Sequence, residues 1–368
     1  MSVLYLQPPW TDRYKQNWAE AYDRIMEWWN GGRLDRPVVV TPVLKNPADD
    51  VFSRFAASGC TASNDFDKQF QIDYATAINE GFSFPAESVP FAKTGYASSL
   101  GMLAAAAGAE IRYAPETGTA WAVEDPDLLE RDLPAFNPEC PPYAFTIEMI
   151  KVFHQTFGYD AVLGANPMVS PLTTLSMMIG QERFCLDIVD RPDDVKRWLD
   201  ALGKIYMEIV SGWRSARAAL GRREDYSWCG VWAPGDMDAL ECDFGALISN
   251  DMFQEFALPE AKREAEFFDY CFWHLDGSGQ IKHLKDILSI EKVRAVQWSD
   301  DKKRSLLNMT DIWKMIREAG KGLLLGATVD EAAELTKRLG PDGLLFGLID
   351  VKTEADMDAA LLRLSHIR

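Results

Sequence analysis

The sequence has little positive charge. Its 38 Lys and Arg stand against 56 Asp and Glu among 368 residues, a formal net charge of −18, and no run of basic residues interrupts this acidity. Nucleic-acid binding and docking to anionic membranes are therefore disfavoured. No uncharged stretch reaches the roughly 20 residues that a membrane-spanning helix requires, and the N-terminus lacks a basic segment followed by an apolar one. We therefore expect a cytoplasmic protein with no membrane partner.

Residue patterns that build metal, disulfide or nucleotide sites are also scarce. The six cysteines have no CxxC pair and no regular spacing, which argues against a zinc ribbon and a disulfide framework. Only four histidines are present, so multi-histidine metal sites are disfavoured, and we expect His283 and His366 to be surface or packing residues. The chain has no GxxxxGK(S/T) loop, no HExxH pair, no GxSxG elbow and no GxGxxG after a strand.

What the sequence does contain is an alternation of short apolar runs with helical patterns. A helix is predicted from Asn17 to Asn30, and the apolar runs lie near residues 37–42, 88–91, 161–164, 226–229, 271–275, 293–297, 322–325 and 343–347. Buried strands that alternate with helices indicate a parallel sheet, and eight repeats favour a (β/α)8 barrel. We predict one α/β domain over residues 1–368, with an N-terminal extension and a hairpin inserted between residues 95 and 140.

Function in a parallel barrel collects where strands end, so the residues after each run are the candidates. His274 and Asp276 are two apart on a predicted strand end, so their side chains face the same way and suit metal ligation or acid/base chemistry. The alternative is a histidine that merely packs at the rim beside its neighbouring aspartate. Cys242 and Asp243 offer a soft and a hard ligand side by side, with core packing and helix capping as their alternatives.

Aromatic and polar residues at two further strand ends predict one wall of a substrate-binding pocket. Trp228 and Trp232 lie in a loop rich in tryptophan, glycine and proline, and Gln297, Trp298 and Asp300 follow the sixth run. Twelve tryptophans are many for this length, and such rings could stack on a flat ligand such as a pterin or a tetrapyrrole. We expect these five residues to bind substrate, with core packing as the alternative for each ring.

Several stretches around His274 resemble the uroporphyrinogen decarboxylase-like superfamily, which also contains zinc-dependent methyltransferases that demethylate corrinoid proteins. The matching segments are Glu241–Ser249, Met252–Pro259, His274–Gly277 and Ala295–Trp298, with Pro171–Gly180 and Asp187–Val195 upstream. The resemblance extends over roughly residues 20–368 and implies the same (β/α)8 barrel that the apolar runs predict.

Two departures bear on the reaction that this resemblance implies. True decarboxylases hold substrate propionates with an arginine-rich N-terminal motif, and the comparable segment here is Asn30–Pro37. The methyltransferase branch binds zinc with a His-x-Cys pair and a later cysteine. Here His274 matches the histidine, Asp276 replaces the first cysteine, and no cysteine follows Cys271.

The resemblance therefore implies a methyltransferase with an altered ligand set. It would move a methyl group between a corrinoid protein or a methylated small molecule and a thiol or tetrahydrofolate-like acceptor. Zinc would be held by His274 and Asp276, completed by Cys242, Asp243 or Glu241, since nitrogen, oxygen and sulfur ligands all serve. We expect His274, Asp276 and Asp243 to carry the catalysis.

Two other functions stay open at the level of sequence. In a carboxy-lyase, Asp243 or Asp276 would protonate a carbanion-like intermediate, and Arg33 and Arg36 would lie near the pocket mouth. In a barrel that binds a small molecule or a corrinoid partner without chemistry, His274 would not converge with the two aspartates. The sequence does not distinguish a monomer from a homodimer.

Overall fold

The chain folds into an α/β barrel, described by a computed structural model for residues 9–46, 48, 66–94, 100–114, 119–164, 168–299 and 304–367. The predicted fold class is confirmed, with eight parallel strands in the described residues. These are β1 (Val38–Val39), β2 (Phe91–Lys93), β3 (Val162–Gly164), β4 (Met237–Leu240), β5 (Tyr270–Asp276), β6 (Val293–Ser299), β7 (Gly322–Ala327) and β8 (Leu344–Leu348). Strands β1, β8, β7, β6, β5 and β4 form one sheet in that spatial order, and β2 pairs with β3.

Helices alternate with these strands along the chain. They are α1 (Trp18–Trp29), α2 (Lys68–Gly81), α3 (Met102–Ala106), α4 (Pro141–Phe157), α5 (Pro171–Ile179), α6 (Gln181–Asp190), α7 (Pro192–Ala218), α8 (Asn250–Met252), α9 (Leu258–Phe267), α10 (Leu284–Leu288), α11 (Thr310–Glu318), α12 (Val329–Leu339) and α13 (Glu354–Ser365). A π-helical turn, Phe253–Ala257, joins α8 to α9. Within the described part of the chain, no helix is both long and apolar enough to cross a bilayer.

Local sequence signals explain where several elements begin. Helix α1 matches the helix predicted between Asn17 and Asn30. Helix α12 begins after Thr328, whose side chain accepts the Glu331 backbone N–H while the Glu331 carboxylate accepts the Thr328 backbone N–H. The predicted inserted hairpin is present as two antiparallel strands, Ile111–Ala114 and Thr119–Ala122.

One predicted barrel strand was wrong. The run near residues 226–229 contains only the short strand Asp225–Tyr226, which pairs antiparallel with Trp232–Ala233 as an added hairpin. The barrel strand at this place is β4, which pairs parallel with β5. Its sequence reads as polar because it contains Asp238, whose buried carboxyl accepts a hydrogen bond from the Tyr206 hydroxyl.

Side chains along β5 and β6 alternate between two cores. Cys271, Trp273 and Leu275 belong to a cluster that also contains residues of the surrounding helices, whereas Phe272 belongs to a second cluster with residues of the other barrel strands and of α1. His274 and Asp276 continue the Phe272 face toward the carboxyl end of β5.

The pairing of β5 with β6 contains a bulge that sets which residues of β6 face inward. Cys271 is opposite Val293, but Phe272 is opposite Ala295, so Arg294 is one extra residue on β6. Beyond the bulge the register brings His274 opposite Gln297.

Charged groups at the amino ends of the strands form buried pairs. Arg36, just before β1, bonds to Glu87 with 2.8 Å between Nη2 and Oε1. Arg222 and Glu224 are both fully buried and bond to each other. Arg217 likewise pairs with two aspartates at this end, each at 2.9 Å.

Candidate functional site

Three side chains at the carboxyl ends of β4 and β5 converge on one point. One ligand atom from each of Asp243, His274 and Asp276 lies within 4.8 Å of the other two. His274 and Asp276 project from the end of β5 because they share its inward face. Asp243 begins the 3-10 turn Asp243–Leu247 that follows β4. These are the three residues that the sequence singled out for catalysis.

The orientation of His274 is fixed by its neighbour on β6. The Gln297 amide donates from Nε2 to the Trp298 carbonyl at 2.7 Å, so its Oε1 faces His274 and accepts the Nδ1 hydrogen. The His274 Nε2 lone pair is then available to a metal ion or a proton. The Trp228 ring packs edge-on against the imidazole, with 5.0 Å between ring centroids. Gln297, which we expected to bind substrate, thus has both ends of its amide bonded to protein.

The turn that carries Asp243 is anchored by a buried carboxyl. Glu241 accepts the backbone N–H of Ser170 through Oε1 and that of Asp243 through Oε2, the latter at 2.7 Å. Burial and the nearby Asp243 charge raise the pKa of Glu241 well above its usual value. The sequence indicated Glu241 only as a further ligand, and its anchoring role depends on Ser170, a contact between distant segments that sequence spacing does not reveal.

The electrostatics of the three converging groups favour a cation. Part of Asp243 is exposed to solvent, yet desolvation by the surrounding protein raises the pKa of its carboxyl. His274 opposes this rise, and the Asp276 charge adds to it. Two carboxylates this close repel each other, and a bound cation would relieve that repulsion.

Cys242 is not among the residues whose ligand atoms converge. Its side chain is buried, with 2% of its surface exposed, and burial raises the pKa of its thiol well above the usual value. A buried thiol in such surroundings is a poor thiolate ligand. Among the described residues, the converging ligand set is therefore Asp243, His274 and Asp276 rather than one that includes Cys242.

Two of the tryptophans expected to bind substrate lie in the core instead. Trp232 is fully buried, packs its ring against Trp10 with 5.5 Å between centroids, and donates Nε1–H to the Glu87 carbonyl. Trp298 is 4% exposed and packs against Trp313 of α11, because successive residues of β6 point to opposite faces and Gln297 occupies the inner one. Asp300, the remaining expected contact, lies outside the described residues.

The arginines that a carboxy-lyase would need are distant from this site. Arg36 precedes β1 and is held by Glu87, while His274 lies near the end of β5. Since the barrel strands are parallel, Arg36 lies at the opposite end of the barrel from His274, and the exposed Arg33 comes still earlier in the same segment.

A family model matches more than half of the chain, and a solved structure shares its fold. Residues 75–306, more than half of the chain, match the family model described as uroporphyrinogen decarboxylase (URO-D). Among solved structures, the chain is similar to a methyltransferase from Methanosarcina mazei, with 16% sequence identity, a TM-score of 0.61, and coverage of 94% of this chain and 98% of that one. A search of curated proteins finds no match. The matched region contains β4, β5 and β6 with all three converging residues, and the chain belongs to the uroporphyrinogen decarboxylase family.

Proposed function

We propose that the protein is a zinc-dependent methyltransferase that moves a methyl group from a corrinoid or a methylated small molecule to a thiol or a tetrahydrofolate-like acceptor. The observation that carries this proposal is the convergence of Asp243, His274 and Asp276 within 4.8 Å. One nitrogen and two carboxylate ligands are a set that zinc accepts, and catalytic zinc sites use three protein ligands with one position left open.

The surroundings of the ligands also fit a metal. A metal-binding histidine usually donates its second ring N–H to a protein acceptor, which fixes the tautomer, and Gln297 is that acceptor for His274. A bound zinc ion would supply a Lewis acid that stabilises the thiolate form of an acceptor. The protein's own part is to present the His274 Nε2 lone pair and the Asp276 carboxylate from the end of β5 and the Asp243 carboxylate from the turn after β4. Trp228 packs against the imidazole.

The fold likeness to a methyltransferase from Methanosarcina mazei is consistent with this function. A carboxy-lyase is less well supported, since Arg36 is buried against Glu87 and lies at the other end of the barrel. A barrel without chemistry is disfavoured because it gives no reason for three ligand-type side chains to converge.

The first experiment measures bound metal. Three untagged proteins are expressed in medium with zinc: the wild type, His274→Ala and His366→Ala. Each is dialysed, and its bound metal is measured by inductively coupled plasma mass spectrometry. His366 is an exposed residue after α13 and serves as the matched control. We expect near-stoichiometric zinc in the wild type and in His366→Ala, and its loss in His274→Ala.

The second experiment measures methyl transfer. Methylcobalamin serves as the donor and a small thiol or tetrahydrofolate as the acceptor, and demethylation is followed through the corrinoid absorbance. Activity that requires zinc and disappears in His274→Ala supports the proposal. If the metal analysis finds no zinc in the wild-type protein, the zinc mechanism is contradicted. A metal-free lyase would then be the better-supported function.

A further inference from the structure

His283 is a fully buried histidine that the proposed reaction does not use. It ends the 3-10 turn Ser278–His283, has no exposed surface, and stacks on Phe253 with 4.2 Å between ring centroids. The sequence analysis expected a surface or packing residue. Its hydrogen bonds point to a more specific role.

Both ring nitrogens of His283 face oxygen acceptors. Nε2 lies 2.8 Å from the Gly245 carbonyl, which can only accept a hydrogen. Nδ1 lies 2.9 Å from the side-chain oxygen of Asn250. The orientation of that amide is fixed because its Nδ2 donates to the Asp286 carboxylate at 2.9 Å. Since a neutral imidazole carries one N–H, only the doubly protonated ring satisfies both acceptors.

The partners of His283 connect it to the candidate metal site. Gly245 lies in the turn Asp243–Leu247, two residues after Asp243. This turn packs closely on the turn that carries His283, because a Cβ atom at Gly279 would lie 3.0 Å from that of Ala246. On the other side, Asn250 and Asp286 belong to α8 and α10. His283 thus joins the Asp243 turn to two helices.

The charges around the ring oppose one another. The pKa of His283 is lowered overall, chiefly by burial and also by Lys282, although the Gly245 carbonyl and Asp286 oppose that change. The Asn250 carbonyl is a second acceptor that favours the protonated form. Lys282 itself is directed to the Ala246 carbonyl at 3.0 Å, and the Asp286 carboxylate also accepts from Gln254.

We propose that His283 is a positioning residue for Asp243: when doubly protonated, it ties the Gly245 carbonyl to the Asn250–Asp286 pair and holds the Asp243 turn in its ligating position. The proposal rests on the proposed function in one respect, since the value of a fixed Asp243 is its contribution to metal binding. The neutral ring keeps only one of the two contacts. The turn is then held less firmly, so the proposal predicts a dependence on pH.

The direct test observes the ring protons. Long-range proton–nitrogen NMR spectra of histidine-labelled protein contain signals from only four residues, and His283→Phe assigns one of them. Spectra are recorded at about pH 5.5 and about pH 8.5, while the ordinary histidine pKa is about 6.5. Burial lowers the pKa of His283, but the two oxygen acceptors should keep the ring doubly protonated at the lower pH. We expect both nitrogens of His283 to carry protons at the lower pH and one at the higher. A singly protonated ring at the lower pH overturns the proposal.

A second measurement follows the turn itself in metal-free protein. Amide hydrogen exchange of residues 243–247, corrected for intrinsic rates, is compared between wild type, His283→Phe and Asp286→Asn. His283→Phe keeps a ring on Phe253 but loses both hydrogen bonds, and Asp286→Asn removes the charge that orients Asn250. At about pH 5.5 we expect protection to fall at least about tenfold in His283→Phe, and less in Asp286→Asn. Equal protection in wild type and His283→Phe contradicts the proposal.

Zinc titration separates this inference from the proposed function. If wild-type protein binds zinc, His283→Phe should bind it about tenfold more weakly at about pH 6, while the control His366→Phe is unchanged. Unchanged zinc affinity in His283→Phe overturns the positioning role. If wild-type protein binds no zinc, the proposed function fails, and the NMR and exchange results still decide whether His283 holds the turn.

Discussion

The two ends of the barrel use charged residues in opposite ways. At the amino ends of the strands, several buried charges have partners of opposite sign, as in Arg36 with Glu87 and Arg222 with Glu224. At the carboxyl ends, Asp243 and Asp276 converge beside His274, and the pKa of Asp243 is raised. Loss of one partner from a buried pair leaves an uncompensated charge and destabilises the fold, whereas two neighbouring carboxylates repel each other until a cation or a proton binds.

This difference assigns stability to one end and binding to the other, as is usual for α/β barrels. The same difference identifies the charged residues whose substitution tests the comparison. A substitution at the amino end should change folding and leave the site intact, and a substitution at the carboxyl end should do the reverse.

The largest effect is expected from breaking a pair at the amino end. Arg222→Met removes the ion-pair partner of buried Glu224 and the hydrogen bonds to the Gly158 and Ala161 carbonyls. The free energy of unfolding should fall by about 3–5 kcal/mol, as measured by urea denaturation. The control Arg338→Met breaks the exposed pair with Glu334 and should lower the free energy of unfolding much less. Similar losses in both variants would contradict the assignment of stability to the buried pairs.

An intermediate case lies between the two ends, on β4. Among the described residues, no basic side chain hydrogen-bonds to the buried Asp238, and burial raises its pKa to about 6, with Tyr206 opposing that rise. Because the folded pKa is above the unfolded value of 3.8, the contribution of this group to stability is full below that value and is lost as pH rises from there through about 6. The rise corresponds to about 3 kcal/mol.

The measurement compares unfolding free energies of wild type and Asp238→Asn from about pH 4 to about pH 8. We expect the wild type to lose up to about 3 kcal/mol relative to the variant across this range, since asparagine does not ionise. Parallel curves for the two proteins would show that Asp238 is not the titrating group.

A smaller effect is expected at the carboxyl end from the partner of His274. Gln297→Leu keeps the side-chain size but removes the acceptor for the imidazole Nδ1–H. Zinc affinity, measured by calorimetry, should fall about 10- to 100-fold with little change in stability. Gln181→Leu, at an exposed glutamine, is the control and should leave zinc affinity unchanged. An effect on stability alone would place Gln297 with the amino-end residues instead.

The smallest effect is expected from Asp243→Asn, and the sign of its change in unfolding free energy should depend on whether zinc is bound. In metal-free protein, Asp243→Asn removes one of the two repelling carboxylates and should raise the unfolding free energy by about 0.5–1 kcal/mol. In saturating zinc the same variant should be less stable than the wild type, because it has lost a ligand. Thermal unfolding with and without zinc tests both parts, with the exposed Asp358→Asn as a control. A variant that is less stable in both conditions would mean that Asp243 has a structural role.

The sequence was sufficient for most of the fold because buried parallel strands leave apolar runs that can be recognised one by one. It failed at β4, where Asp238 interrupts the run and is tolerated only because Tyr206 of a distant helix donates to it. The convergence of His274 with Asp276 followed from their spacing on one strand. The inclusion of Asp243 rather than Cys242 did not, since it depends on how the next turn is folded.

The aromatic residues show a second limit of the sequence. Trp232 and Trp298 stand at strand ends, where ligand contacts are common, but both face other elements of the core. Which side of a strand a residue occupies depends on register, and register depends on pairing partners that are far apart in the chain. The role of His283 could not be predicted from the sequence either, because its two acceptors lie more than 30 positions earlier in the chain.

The single extra residue on β6 determines which side chain lies opposite His274. If β6 paired with β5 without the bulge, Val296 would lie opposite His274 and Gln297 would lie opposite Leu275, on the face toward the helices. Deletion of Arg294 would instead give regular pairing and leave Gln297 opposite His274. A bulge of one residue thus changes the facing of every later position on a strand, so the lining of a barrel site can change while its side chains stay the same.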